Sequence, residues 1–183
     1  MAGEVTAEYV RARWAYSELL SCGHGHLYQG RGVPELKEKA RGGVRFDELD
    51  QAERRLLADQ LRLVRGIWLP ALDGVASFKR VSWTRDELAA VCVFPYFAKE
   101  LGDPWAPVTF KQWIEAEPNS PVDKYHARYA AVGAGASFTQ EDPATVGRLL
   151  GHPRLIDGYH RAVRFWRAND PAAVFAVYLP CDV

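Results

Sequence analysis

Arg154-Leu155-Ile156-Asp157-Gly158-Tyr159-His160-Arg161-Ala162-Val163-Arg164-Phe165-Trp166 is the stretch on which the fold reading turns. Leu155-Ile156 opens it as a short apolar strand. Asp157-Gly158 breaks that strand, because glycine takes a positive φ without a Cβ penalty. From Tyr159 onward the pattern predicts a helix to Ala168. Ala162, Phe165 and Trp166 follow three- and four-residue spacing and are expected to face inward.

A strand that passes abruptly into a helix can build an anion site. The first N–H groups of a helix lack intrahelical acceptors, and the macrodipole places partial positive charge there. Gly158 would let backbone approach a ligand closely, so Gly158→Val is expected to lose ligand affinity more than stability. His160 adds a titratable donor and Arg161 a fixed positive fork. Helix N–H groups and Arg161 would stabilise developing oxyanion charge, with His160 as general acid/base. Asp157 would orient His160 or hold a divalent ion, Mg²⁺ by preference. The same spacing also describes an ordinary strand–turn–helix connection with surface His and Arg.

The segment from Leu155 to Ala162, with the helix after it and then Val174-Phe175-Ala176-Val177-Tyr178-Leu179-Pro180, resembles the signature of the ParB/sulfiredoxin superfamily. The likeness covers about residues 145–180. It implies an α+β fold: a small mixed sheet with helices in residues 78–183, behind a helical N-terminal extension, residues 1–77. Members include nucleotide-dependent partition proteins, nucleases, a small-molecule kinase and a sulfinic acid reductase, so the fold leaves the reaction open. Tyr159 stands where the reductase has its cysteine, and no acidic residue follows Gly158 as in the partition proteins. The Asp-Gly-x-His-Arg form is the one that kinase and nuclease members show.

Size and the helical extension are also similar to plasmid-encoded fertility-inhibition proteins. That resemblance implies ATP hydrolysis and DNA cleavage, used to block transfer of competing DNA through a type IV secretion system. It makes Asp157, His160 and Arg161 the catalytic candidates. Gly158, Tyr159, His160 and Arg161 become the phosphate or nucleotide contacts, with ATP as substrate. The implied partners are nucleotide, DNA and secretion components. Two other readings stand beside it. One is a non-catalytic interaction protein that occupies a secretion or partition partner. The other is a small-molecule kinase, which needs an acidic base from among Glu87, Glu100 and Asp103.

Composition narrows the field. The 183 residues suffice for a real hydrophobic core. Twenty-three basic residues balance 23 acidic ones, so no global basic field announces nucleic acid. No apolar run reaches the length of a membrane span, and membrane insertion is not expected. Cys22, Cys92 and Cys181 are odd in number and lack paired spacing. That fits free thiols in a reducing compartment, the cytoplasm, and the resemblance to plasmid-encoded proteins implies a bacterial one.

Elsewhere the pattern predicts helices over residues 4–21, 35–41 and 47–65. Thr6 caps the first, and Asp47 or Asp50 the third. Glu8, Arg11, Arg13 and Glu18 fall outside the first helix's apolar face. Cys22-x-His24-x-His26 has metal-ligand residue types but no fourth ligand nearby, and reads as a Gly-rich loop rather than a metal centre. Residues 78–83 alternate like a strand and lead to a helix with Thr84 as N-cap and Glu87 completing a capping box. Residues 91–94 fit either a strand or a helix end. Tyr96, Phe97 and Trp105 either cover a core or stack on a base. Helices are expected from Thr109 to Glu115, over residues 122–132 and over residues 143–150, with a turn at residues 118–121. Gly133-Ala134-Gly135-Ala136-Ser137 lacks the Lys-Ser/Thr ending of a Walker loop.

Overall fold

The computed structural model describes residues 3–21, 24–116 and 142–181. The expected turn at 118–121, the helix at 122–132, the connector at 133–137 and Cys22 lie outside the described residues. The fold is α+β, and the chain divides into two compact units, Gly3–Phe78 and Lys79–Cys181.

The first unit opens with a short strand β1 (Glu4–Thr6), followed by helices α1 (Ala7–Glu18), α2 (Val33–Arg41) and α3 (Gln51–Val64). The expected first helix therefore begins three residues late. Glu4–Thr6 is extended, and the Ala7 N–H donates to the Ala76 carbonyl at 3.2 Å. Thr6 caps α1 by accepting the Tyr9 N–H at 3.1 Å. Asp50 caps α3 and forms a reciprocal box with Glu53, which ends the choice between Asp47 and Asp50.

Leu57, Ala58 and Leu61 of α3 are buried, as are Val10, Trp14 and Ala15 of α1, and the two helices pack together. Glu18 is the departure. Expected outside the apolar face, it is buried, and its carboxylate accepts from the Trp14 indole at 3.1 Å and the Tyr28 hydroxyl at 2.7 Å. Arg65 completes the group with Nε at 3.1 Å and a second bond from its other nitrogen. A buried carboxylate persists only when its lone pairs are taken up in this way.

The second unit carries strand β2 (Ser77–Trp83, whose first two residues belong to the first unit) and helix α4 (Arg85–Ala90). Strand β3 (Cys92–Val93), helices α5 (Pro95–Ala98) and α6 (Phe110–Ile114) and strands β4 (Ala144–Leu149) and β5 (His152–Asp157) follow. Helix α7 (Tyr159–Ala168) and strand β6 (Phe175–Pro180) complete it. The strands lie in the order β2-β6-β4-β5-β3. Strand β4 is parallel to β6 and antiparallel to β5, while β3 runs parallel to β5. Thr84 caps α4 and Glu87 returns the bond to the Thr84 N–H at 2.7 Å, so Glu87 serves the cap.

Residues 143–150 are not the expected short helix. Ala144, Thr145, Val146 and Gly147 are all buried, and the chain there is β4, the strand between β6 and β5. A continuous buried run flanked by strands on both sides is what a central strand requires. Periodicity over so few residues does not separate this from a helix.

Helix α7 keeps its expected limits. Ala162 and Phe165 are buried as expected, but Trp166 is half-buried. Its ring meets Phe110 edge-on at 5.8 Å, and the Arg85 guanidinium covers it at 4.0 Å. Arg85 also bonds the Asn169 side chain. Trp166→Ala is therefore expected to cost about 2 kcal/mol, below the range for a fully buried tryptophan. A double-mutant cycle with Arg85→Ala should return about 0.5–1 kcal/mol of coupling. Additive losses in thermal melts would show that the guanidinium contributes nothing through the ring.

Candidate functional site

The candidate site forms where β5 ends and α7 begins. Its geometry starts with an irregularity in the β4–β5 pair. Val146 faces Leu155, but the next residue along, Thr145, faces Asp157. Ile156 is the extra residue, so β5 carries a bulge. Such a bulge re-aims the side chains beyond it.

Gly158 follows with φ +92° and caps α7 with no side chain to offer. A Cβ placed there would lie 2.5 Å from the Ala144 Cβ and 3.1 Å from an Arg161 guanidinium nitrogen. Glycine is thus required twice, by the left-handed backbone and by the close approach of β4. The expected ordering of effects for Gly158→Val is corrected by this. The nearest atoms are the protein's own, so substitution strikes the fold first.

Arg161 reaches back one turn and donates to Asp157 Oδ2 at 2.7 Å. Both side chains are largely covered. The pair holds the guanidinium over Gly158, at the N-terminus of α7. Its Nε–H is buried and has no acceptor among the described residues. His160, next to it, is exposed. Asp157, Gly158, His160 and Arg161 are therefore neighbours at one helix start.

Tyr159 belongs to the core instead. Its hydroxyl donates to the Leu155 carbonyl at 2.6 Å and accepts the Phe94 N–H at 2.7 Å. Its ring lies 3.9 Å from Phe97, centroid to centroid, and meets Trp113 edge-on. The phenol is engaged by backbone, so only the Tyr159 main chain faces the helix terminus where a phosphate would sit. Burial raises the Tyr159 pKa above its ordinary 10.0, an effect that the Phe94 N–H and Arg154 only partly offset. Its contribution to stability is then complete below about pH 10 and declines above it, as the unfolded chain ionises first. Tyr159→Phe should cost about 1–3 kcal/mol at neutral pH, because the buried Phe94 N–H loses its acceptor. Urea titrations at pH 7 and above pH 10 check both points. Equal stability of the two proteins at pH 7 would contradict the assignment.

A divalent ion fits this arrangement poorly. Asp157 turns a carboxylate oxygen to Arg161, and an ion there would face that fixed positive charge. Among the described residues, no three His, Cys, Asp or Glu gather as a metal cage. Of the loop pair considered for metal, His24 lies 3.9 Å from Glu18, and His26 lines an open pocket of the first unit. Of the three acids considered for a kinase base, Glu87 is taken by its cap, and Asp103 accepts the Trp105 N–H at 2.9 Å.

Arg154 is the residue that pattern reading passed over. It is 0% exposed. Its Nη1 donates to the Val93 carbonyl at 2.7 Å, Nη2 to the Trp105 carbonyl at 3.3 Å and Nε to the Leu149 carbonyl at 3.4 Å. Three separate segments are tied to one buried guanidinium. Its only sequence signal was a cation at the head of an apolar strand. Phe97 is buried, whereas Tyr96 and Trp105 are exposed, so the aromatics of that passage divide between core and surface. Cys92 is buried, and burial pushes its thiol pKa up, which makes it a packed group and a poor nucleophile. Among the described residues no helix is long and apolar enough to cross a membrane. Comparison with protein-family models, with curated proteins and with solved structures found no match.

Proposed function

We propose that the second unit binds the phosphate groups of a nucleotide at the start of α7 and hydrolyses a phosphoanhydride or phosphodiester bond there. The observation that carries this reading is the Arg161 guanidinium, held over the helix N-terminus by Asp157 with an exposed imidazole beside it. Helix N–H groups and a fixed cation favour developing negative charge on phosphate oxygens. His160 is the group that would move a proton to or from the reacting oxygen. Asp157 acts through Arg161, fixing its fork so that little freedom is lost on binding.

ATP and DNA are the substrates that this chemistry and the sequence resemblance favour together. A role in the bacterial cytoplasm, blocking DNA transfer by a type IV secretion system, rests on that resemblance. The test is to incubate the purified chain with ATP and, separately, with supercoiled plasmid. Phosphate release or nicking that Arg161→Ala removes supports the proposal. Absence of both products above background sinks it.

A second reading, an interaction protein without catalysis, is favoured by one observation. Leu63 and Ile67, near the end of α3, are 80% and 74% exposed, apolar side chains that a partner could cover. The small-molecule kinase reading has no such support: Glu87 is engaged in its cap, and Asp103 accepts the Trp105 N–H.

A further inference from the structure

We infer that the first unit binds a small aliphatic monocarboxylate in a cleft between the end of α1 and the last turns of α2. The site goes beyond the proposed function, since it lies in the other unit and does not rest on the α7 site.

The cleft has a volume of about 430 Å³, within the range of about 300–1,000 Å³ that small-molecule sites occupy. Its wall is fixed by the chain. Gly25 tucks the loop after α1 against the helix end, where a Cβ would run into the Leu19 carbonyl oxygen. The Gly25 N–H donates to the Ser21 carbonyl at 2.8 Å, and the Gln29 side chain to the His26 carbonyl at 3.0 Å. Lys37 ties α2 to the same loop, its ammonium donating to the Tyr28 carbonyl at 2.8 Å. A ligand that meets a wall already held in place loses little affinity to ordering.

Charge selects the head group. His26, Lys37 and Arg41 line the cleft, and no carboxylate does so among the described residues. The cations of α2 are not alike. Lys39 pairs with Glu53 at 2.6 Å, and Arg41 pairs with Glu38. Lys37 has no ion pair among the described residues. Its bond to Tyr28 uses one of three ammonium donors. The Glu18 carboxylate, next to Leu19 in the chain, is buried and answered by Arg65. One uncompensated cation matches a monoanion, to which it gives a charge-assisted hydrogen bond.

The lining selects the body. Leu20 lines the cleft and is 47% exposed, although it is a large apolar side chain. The stems of Lys37 and Arg41, four residues apart on α2, add methylene surface beside their charged ends. No aromatic ring lines the cleft among the described residues, so nothing there stacks a nucleobase. An aliphatic chain is the body that these groups fit.

The test is a titration of ¹⁵N-labelled full chain with octanoate, with acetate and octanamide as the other arms. Octanoate should give saturable shifts at the amides of Leu20, His26 and Lys37. Acetate lacks the tail and octanamide the charge, and each should bind about tenfold more weakly or worse. Lys37→Met keeps the stem and removes the charge. It should weaken octanoate by about tenfold and leave octanamide unchanged, while Lys37→Arg recovers part of the loss. Leu20→Ser should weaken octanoate and leave acetate unchanged. No saturable shifts with octanoate in large excess overturns the inference. Wild-type octanoate affinity in Lys37→Met overturns it too, as does an equal loss for octanoate and octanamide. ATP added to the same sample reports the α7 site separately, so either assignment can fail alone.

Discussion

Gly158→Val should unfold the second unit at temperatures where the wild-type chain is stable. The backbone at Gly158 has φ +92°, a region that β-branched residues avoid at a cost of about 1–2 kcal/mol. The new Cβ would also lie 2.5 Å from the Ala144 Cβ and 3.0 Å from its Cα. Ala144 sits in β4, between β6 and β5, and cannot retreat without moving both neighbours. Overpacking of that kind adds about 1–3 kcal/mol. The expected total is about 2–5 kcal/mol, a large share of a typical domain's stability. Gly158→Ala should fall only somewhat short of it, because the first carbon makes the clash. Denaturant melts followed by circular dichroism read this directly. A Gly158→Val chain as stable as wild type would mean that β4 and α7 do not approach each other as described.

Much of this corner was legible in sequence. The break at Asp157-Gly158, the limits of α7 and the strand after it follow from glycine, helical spacing and an apolar run. The bulge at Ile156 was not legible, because two adjacent buried residues look the same with or without an extra residue in the ladder. Nor was β4. Ala144-Thr145-Val146-Gly147 has no alternation, since both of its faces are covered. Tyr159 shows the limit for side chains. Its neighbours in the motif suggest a ligand contact, but its hydroxyl bonds Leu155 and Phe94, and Phe94 lies 65 residues away in the chain. Arg154 was passed over and Glu18 placed outside the apolar face for one common reason. A charged residue reads as solvated until its partners are known, and the charged or carbonyl partners that matter here include ones far off in sequence: Val93 and Trp105 for the first, Arg65 for the second.

His160→Ala and Arg161→Ala should fail in different ways. Removing Arg161 takes away a permanent charge from the helix start and leaves Asp157 facing any phosphate, so affinity and turnover should fall together. Removing His160 takes away an exposed group that can pass a proton near neutrality. Turnover should then fall by about 10²-fold, with nucleotide binding close to wild type. Arg161→Lys should recover charge but not the fork, and so should restore only part of the binding. If both alanine variants keep full inhibition of DNA transfer in cells, the interaction reading replaces the catalytic one.

The claim beneath all of this is that phosphate binds where β5 turns into α7. The most direct measurement is an ATP titration of ¹⁵N-labelled chain, following the main-chain amides of Gly158, Tyr159, His160 and Arg161. The account predicts saturable shifts at those four amides in the wild-type chain, and their loss in Arg161→Ala while the fold survives. Shifts confined to other residues, or none at these four with ATP in large excess, would contradict it.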